Sequence, residues 1–176
     1  MAHILDVMNE RVLLCDGTIG TSLPMDLDAE KDFWGHENCP NILVRSRPDL
    51  IREISRGFFA AGSDMVAAMT FGGTPGTLDE FGIGELAFDL NKEAVELIRE
   101  VAEEFRGDGK ERFISANLGP GTKLPSLGHV DYDTLENDYF IQCGGVLAGG
   151  VDVLLILTCQ DPLQIKAAVN GARRAC

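Results

Sequence analysis

The sequence predicts an α/β protein built on a parallel sheet, and three observations carry that prediction. Four times along the chain a short apolar run is followed by a turn rich in Gly, Pro, Asn or Thr, and then by a stretch with helical periodicity. Three of these four runs are close to continuously apolar, the pattern of strands covered on both faces. Strands that alternate with helices run parallel and are joined by right-handed crossovers.

The first strand is expected at Arg11–Cys15 (RVLLC), followed by a long linker, Ser22–Ser46. The first helix, Pro48–Ala61, places Leu50, Ile51, Ile54, Phe58 and Phe59 on one face, with Pro48 at its first position and Gly62 as its stop. The second strand, Asp64–Thr70 (DMVAAMT), is the one not read as continuously apolar. A second amphipathic helix, Phe88–Phe105, turns Leu90, Ala94, Leu97, Ile98, Val101 and Phe105 inward and leads through GDGK to a strand at Arg112–Asn117. The third helix, Tyr132–Ala148, is expected to be capped by Asp133 or Thr134, and Gly144-Gly145 inside it weaken it by about 1 kcal/mol each relative to Ala. The last strand, Val151–Thr158, passes into a helix over Asp161–Arg174 with Pro162 in its first turn.

An open flavodoxin-like sheet usually needs about five strands, and a closed barrel needs eight in about 250 residues. The sequence stops at Ala175-Cys176 directly after a helix. The expected architecture is therefore a parallel (β/α) barrel of the TIM type, its amino-terminal half only, with residues 1–176 forming one part of one domain. The turns that follow the strands then lie at the strands' carboxyl ends, where barrels and open sheets place their ligands.

Composition narrows the function. The net charge of −13 repels phosphate backbones and anionic lipid, so nucleic acid and membrane surfaces are excluded as expected partners. No apolar run approaches the roughly 20 residues of a bilayer span. The amino terminus has neither a basic nor a continuous apolar leader region, so the expected location is cytoplasmic. Five scattered cysteines without a CxxC pair signal neither a disulfide framework nor a zinc clip, and all but Cys176 are read as buried thiols. His36 and Cys39, spaced HxxC, lack further ligands nearby and are read as a loop histidine and a packed thiol. The acidic residues Glu100, Glu103 and Glu104 are read as a solvated helix face. No nucleophile, base or paired-carboxylate set stands out, so no catalytic residue is assigned.

Two strand-end turns carry chemistry. Asp16-Gly17 places a carboxylate and a small residue after the first strand, suited to a substrate ammonium or equally to an ordinary Asp-Gly turn. The turn Asn117–Pro125 exposes the amides of Gly119 and Gly121 to a carboxylate, or is a turn of Pro and Gly for its own sake.

Taken in order, DGTIGT, RPDLIREISRGFFAAGSD, TFGGTPGTLDEFGI, NLGPGTKLPSLGHVDYDTL and GGVDVLLILTCQDPLQIKAA resemble the homocysteine S-methyltransferase family from about Val12 to Ala175. Within it, GPGTKLPSLGH and TCQDPLQIKAA are similar to the amino-terminal module of the cobalamin-dependent methionine synthase branch. The resemblance implies a (β/α)8 barrel that binds homocysteine and presents it as a zinc-bound thiolate for methyl transfer, giving methionine. It also implies three zinc cysteines on later strands beyond Cys176, methylcobalamin as donor, and folate and cobalamin modules as partners together with the carboxyl-terminal barrel half. By resemblance Asp16 and Gly17 hold the amino-acid end of homocysteine, and Asn117, Leu118 and Gly119 contact it.

Three departures accompany the match. The family's second strand typically ends Glu-Thr-Asn-Thr-Phe, where this chain has Ala67-Ala68-Met69-Thr70-Phe71. Its fourth strand ends Ile-Glu-Thr, where this chain has Ile156-Leu157-Thr158. The zinc cysteines lie outside the sequence. The expectation is a chain that performs no methyl transfer alone. The alternatives are a non-catalytic half-barrel that pairs with another copy or with a separate carboxyl-terminal half, and an unrelated small-molecule binding domain using the strand-end glycines.

Overall fold

A computed structural model describes residues 3–176. In chain order the elements are α1 (Ile4–Glu10), α2 (Leu43–Ser46), α3 (Pro48–Ala61), β1 (Met65–Ala68), α4 (Pro75–Leu78), α5 (Ala87–Glu104), β2 (Phe113–Leu118), α6 (Tyr132–Ala148), β3 (Val153–Ile156) and α7 (Pro162–Ala175). The three strands form one parallel sheet in the order β1-β2-β3, with Met65 opposite Phe113 and Ser115 opposite Val153. The expected α/β class and parallel sheet are both present.

The expected first strand is the main correction. Arg11–Cys15 runs beside β1 but joins it through a single parallel bridge, Cys15 to Met65. The reason lies at Asp64, which is 3% exposed. Its Oδ2 accepts the Leu14 N–H at 2.9 Å, so a side chain occupies the donor that a longer ladder would use. Its Oδ1 accepts from Arg11 Nη2 at 2.8 Å. The outer side of this segment stays bare, with Val12 84% and Leu14 61% exposed.

Burial along the strands also departs from the apolar pattern. The Ala-rich β1 is buried at every position, whereas all four residues of the more apolar β3 are half-exposed. Position in the sheet decides this, since β1 is flanked by Cys15 and β2, whereas among the described residues β3 has a strand on one side only.

Successive strand residues face opposite ways. Val66, Ala68, Ile114 and Ala116 meet Ile51 and Phe59 of α3 and Ala94, Val95, Ile98 and Val101 of α5 in the main core. Met65 and Phe113 face the other side, where Val7 of α1 covers them beside the half-buried Val153 and Leu155. An apolar groove of about 670 Å³ lies there, between α1 and the strands.

All four expected helices, α3, α5, α6 and α7, match their expected bounds within a residue. Helix α3 begins on Pro48 and ends at Gly62, whose φ of 108° is the left-handed stop that glycine allows; Ser55 takes a buried place on its inner face, and Ile54 and Phe58 are only partly buried. Helix α6 is capped by Asp131, which accepts the Thr134 N–H at 2.8 Å, rather than by Asp133 or Thr134. Helices α1, α2 and α4 were not expected, α2 lying in the stretch read as linker. Glu100 and Glu104, read as a solvated face, pair with Arg52 and Arg56 of α3 at 2.8 and 2.7 Å while remaining about half exposed. Cys15 is exposed, contrary to the reading of a buried thiol, whereas Cys39 and Cys143 are buried. Among the described residues no helix is long and apolar enough to cross a membrane.

The glycines inside α6 answer to packing. A Cβ on Gly145 would lie 2.4 Å from the Phe88 carbonyl oxygen of α5, and one on Gly149 2.6 Å from that of Lys92. On the other side Gly171 of α7 approaches the Glu136 carbonyl, where a Cβ would stand at 2.7 Å. Backbone lies against backbone along this seam, which repays the propensity cost of glycine in a helix.

Two outcomes follow for stability. Gly145→Ala should cost about 2–3 kcal/mol through overpacking and lower the melting temperature by roughly 5–10 °C. Gly144→Ala, whose new Cβ would meet only the Phe88 side chain at 3.3 Å, should leave the melting temperature nearly unchanged; equal effects in thermal unfolding would refute the seam. The Arg11 guanidinium beside Asp64 holds its carboxyl below the usual range. The stabilisation is therefore present above the unfolded-state value of about 3.9 and is lost as pH falls through the lower folded value. Asp64→Asn should cost about 1.5–3 kcal/mol at neutral pH and flatten that acid limb in denaturant titrations.

Candidate functional site

The turns after Cys15, β1, β2 and β3 gather at the carboxyl end of the sheet. Asp16 is half-buried there. Its N–H donates to Met65 O at 2.9 Å, and its Oδ2 accepts the Ala67 N–H at 3.2 Å. Burial pushes the Asp16 carboxyl up from its ordinary range, and backbone N–H groups, that of Ala67 foremost, partly offset this. Among the described residues no Lys, Arg or His makes an ion pair with it, so its charge is available to a ligand.

Gly17 lies against α3, where a Cβ would stand 3.3 Å from the Phe58 ring. Thr18 follows with φ 86°, and Thr158, after β3, has φ 59°. Both are β-branched residues in the left-handed region, a strained arrangement that gathers at ligand sites.

A cavity of about 220 Å³ opens beside this turn, lined by Thr18, Ile19, Gly20, Thr21, Pro40, Ala67, Ala68, Met69, Phe71 and Asn117. None of these side chains is charged. The structure thus brings the turn after Asp16 together with Asn117, while Asp16 and Gly17 themselves adjoin the cavity without lining it. It does not bring Leu118 and Gly119 to the same cavity. The Leu118 side chain is fully buried against Leu135, Tyr139 and Ala167 of α6 and α7, leaving only its backbone near the strand ends. Gly119 has φ 99° and packs against the turn after β3, where a Cβ would stand 2.8 Å from Cys159 Sγ and 3.0 Å from Leu157 O.

Sequence reading missed Ile19, Pro40, Thr70 and Phe71. Thr70 was findable in principle, as the first polar side chain after the apolar Met65–Met69 run. Pro40 belongs to the stretch read as a plain linker, which the structure folds over the strand ends. The departures noted in the sequence have a place here: Ala67 and Met69 form cavity wall, 7% and 5% exposed, and Leu157 is half-buried with its N–H on Leu118 O at 3.2 Å.

The residues present do not compose a zinc centre. Among the described residues no group of three or more His, Cys, Asp or Glu is arranged to hold a metal. His36 Nδ1 stands 3.0 Å from Phe81 O, and Cys39 is fully buried.

Comparison with known proteins puts this geometry in a lineage. The homocysteine S-methyltransferase family model matches residues 13–175. Methionine synthase of Mycobacterium tuberculosis is 42% identical over 173 residues, and that of Mycobacterium leprae 41% over 175. Each alignment covers 98% of this chain but 14% of the relative, so the chain spans about a seventh of the length of these proteins. Among solved structures, the oxidised form of the homocysteine methyltransferase MmuM from Escherichia coli superposes with a TM-score of 0.75 at 20% identity, covering 98% of this chain and 63% of that one. The metallated form gives 0.75 at 18%, covering 97% and 63%. At such identities the likeness establishes the fold, a (β/α) barrel of which this chain carries part. With a family match running almost from end to end and relatives above 40% identity, the chain belongs to the homocysteine S-methyltransferase family.

Proposed function

We propose that residues 1–176 form the amino-terminal part of a homocysteine-binding barrel domain of the methionine synthase type. In this reading the chain binds and orients homocysteine, and the methyl group is transferred to its sulfur to give methionine. One observation supports it most: Asp16 is a half-buried carboxylate without a cationic partner among the described residues, adjoining an uncharged cavity at the strand ends. An α-ammonium group meeting it gains a charge-assisted hydrogen bond in a partly desolvated place. Gly17 allows the ligand a close approach and Asn117 borders the amino-acid end, while Leu118 and Gly119, outside the cavity, support the Asn117 turn rather than the ligand.

Zinc and methylcobalamin are assigned in this reading to parts of a longer protein, along with the folate and cobalamin modules. The short coverage of the methionine synthases supports that division, and no chemical step is assigned to a metal held by these residues. The Ala67, Met69 and Leu157 replacements leave Asp16 as the counter-charge on which ammonium binding rests.

Calorimetry tests this. Homocysteine should bind the chain, and Asp16→Asn should weaken it roughly ten- to a hundredfold, the loss of one charge-assisted partner at about 1.5–3 kcal/mol. Because the carboxyl titrates above its ordinary range, binding should decline on acidification at a higher pH than for an exposed aspartate, and the variant should lack that decline. Undiminished affinity in Asp16→Asn would refute the assignment. A second outcome concerns the metal: after zinc loading and dialysis the chain should retain far less than one zinc per molecule and form no methionine from homocysteine and methylcobalamin. Stoichiometric zinc with turnover would overturn the division of labour.

A further inference from the structure

The turn joining β1 to α4 borders the cavity through Met69 and Phe71, and its carbonyl oxygens are held in an unusual way. Three buried side-chain amides take four of them. Asn41 Nδ2 donates to Met69 O at 3.2 Å and to Phe71 O at 3.3 Å. Gln142 Nε2, from α6, donates to Thr70 O at 2.7 Å. Asn91 Nδ2, from α5, donates to Gly73 O at 2.7 Å and is tied to its own helix through Ala87 O. Gln142 also reaches Asn91 Oδ1 at 3.3 Å, linking two of the amides. All three are at most 5% exposed.

Thr70 extends the arrangement to β2. The β1–β2 pairing ends at Ala68 and Ala116. One residue further along β2, the Thr70 hydroxyl accepts the Asn117 N–H at 2.8 Å and lies 3.1 Å from Asn117 O, to which it donates. A side chain inserted where backbone would otherwise pair holds the strands apart at the point where the cavity opens. Gln142 is placed there at a cost, since its Oε1 is buried without a hydrogen-bond partner. A residue kept for packing alone would need no such amide.

We propose that Asn41, Asn91 and Gln142, acting with Thr70, are positioning residues that fix the 69–73 turn and Asn117 in the shape the ligand cavity requires. This role rests on the reading of that cavity as the homocysteine site, but the cage can be tested without any ligand. Hydrogen exchange on the whole chain supplies the readout. In Gln142→Met, which keeps volume and loses the donors, the amides of Gly73 and Asn117 should exchange at least tenfold faster, while those of Val66 and Ser115 in the strand centres keep their protection. Thr70→Val should do the same at Asn117, and Thr70→Ser, which retains the hydroxyl, should restore it. Acceleration spread equally over strands and turns would mark a general core defect and overturn the proposal, as would unchanged exchange at the turn in either Gln142→Met or Thr70→Val. Homocysteine calorimetry on the unaltered chain decides the ligand reading separately, so the two can fail independently.

Discussion

A short parallel ladder buried between helices leaves backbone donors and acceptors beyond its last pair, and each must be satisfied away from water. In this chain side chains take up that task at both ends of the sheet. Below β1 the Asp64 carboxylate receives the Leu14 N–H, and below β2 the Asp152 carboxylate receives the Ile114 N–H at 2.8 Å. Beyond β1 the Thr70 hydroxyl receives the Asn117 N–H. The bounds of the strands, the single bridge to Cys15 and the gap at the cavity all depend on these three substitutions of side chain for backbone.

The two ends use different chemistry. At the amino-terminal end the caps are charged and paired, Asp64 with Arg11 and Asp152 with Arg99 at 2.7 Å. At the carboxyl-terminal end a hydroxyl and three amides are neutral, and the carboxylate there, Asp16 on the Ala67 N–H at 3.2 Å, makes no ion pair among the described residues. Neutral caps satisfy the backbone without adding a competing charge, so the Asp16 carboxylate remains the dominant electrostatic feature beside the cavity. Charged pairing is thereby concentrated at one end of the sheet and the proposed ligand site at the other, the division expected of a barrel.

Ala67 and Met69 give the cavity an apolar wall, and Thr70 follows them as the residue whose hydroxyl ends the ladder. The close packing of α5, α6 and α7 through Gly145, Gly149 and Gly171 supports the same arrangement, because it brings Asn91 and Gln142 from neighbouring helices within reach of one turn.

Local pattern was enough to determine the α/β class, the parallel sheet, the four covering helices within a residue at both ends, and Asp16 and Asn117 as strand-end residues. These follow from periodicity and from turn chemistry, which act over a few residues. The family could be read from the order of five motifs. Tertiary structure alone decided the rest. Arg11–Cys15 reads as a strand, yet Asp64, 50 residues away from Leu14, takes the ladder's donor. Gly144-Gly145 reads as a weak point in a helix, yet Gly145 is where Phe88 of another helix must fit. Gln142 carries no signal in the sequence, being one of several polar residues on its helix, and only its 72-residue reach to Thr70 O shows what it holds. A hydrogen bond or a contact between segments distant in the chain leaves no period in the sequence, because its second partner is chosen by the fold.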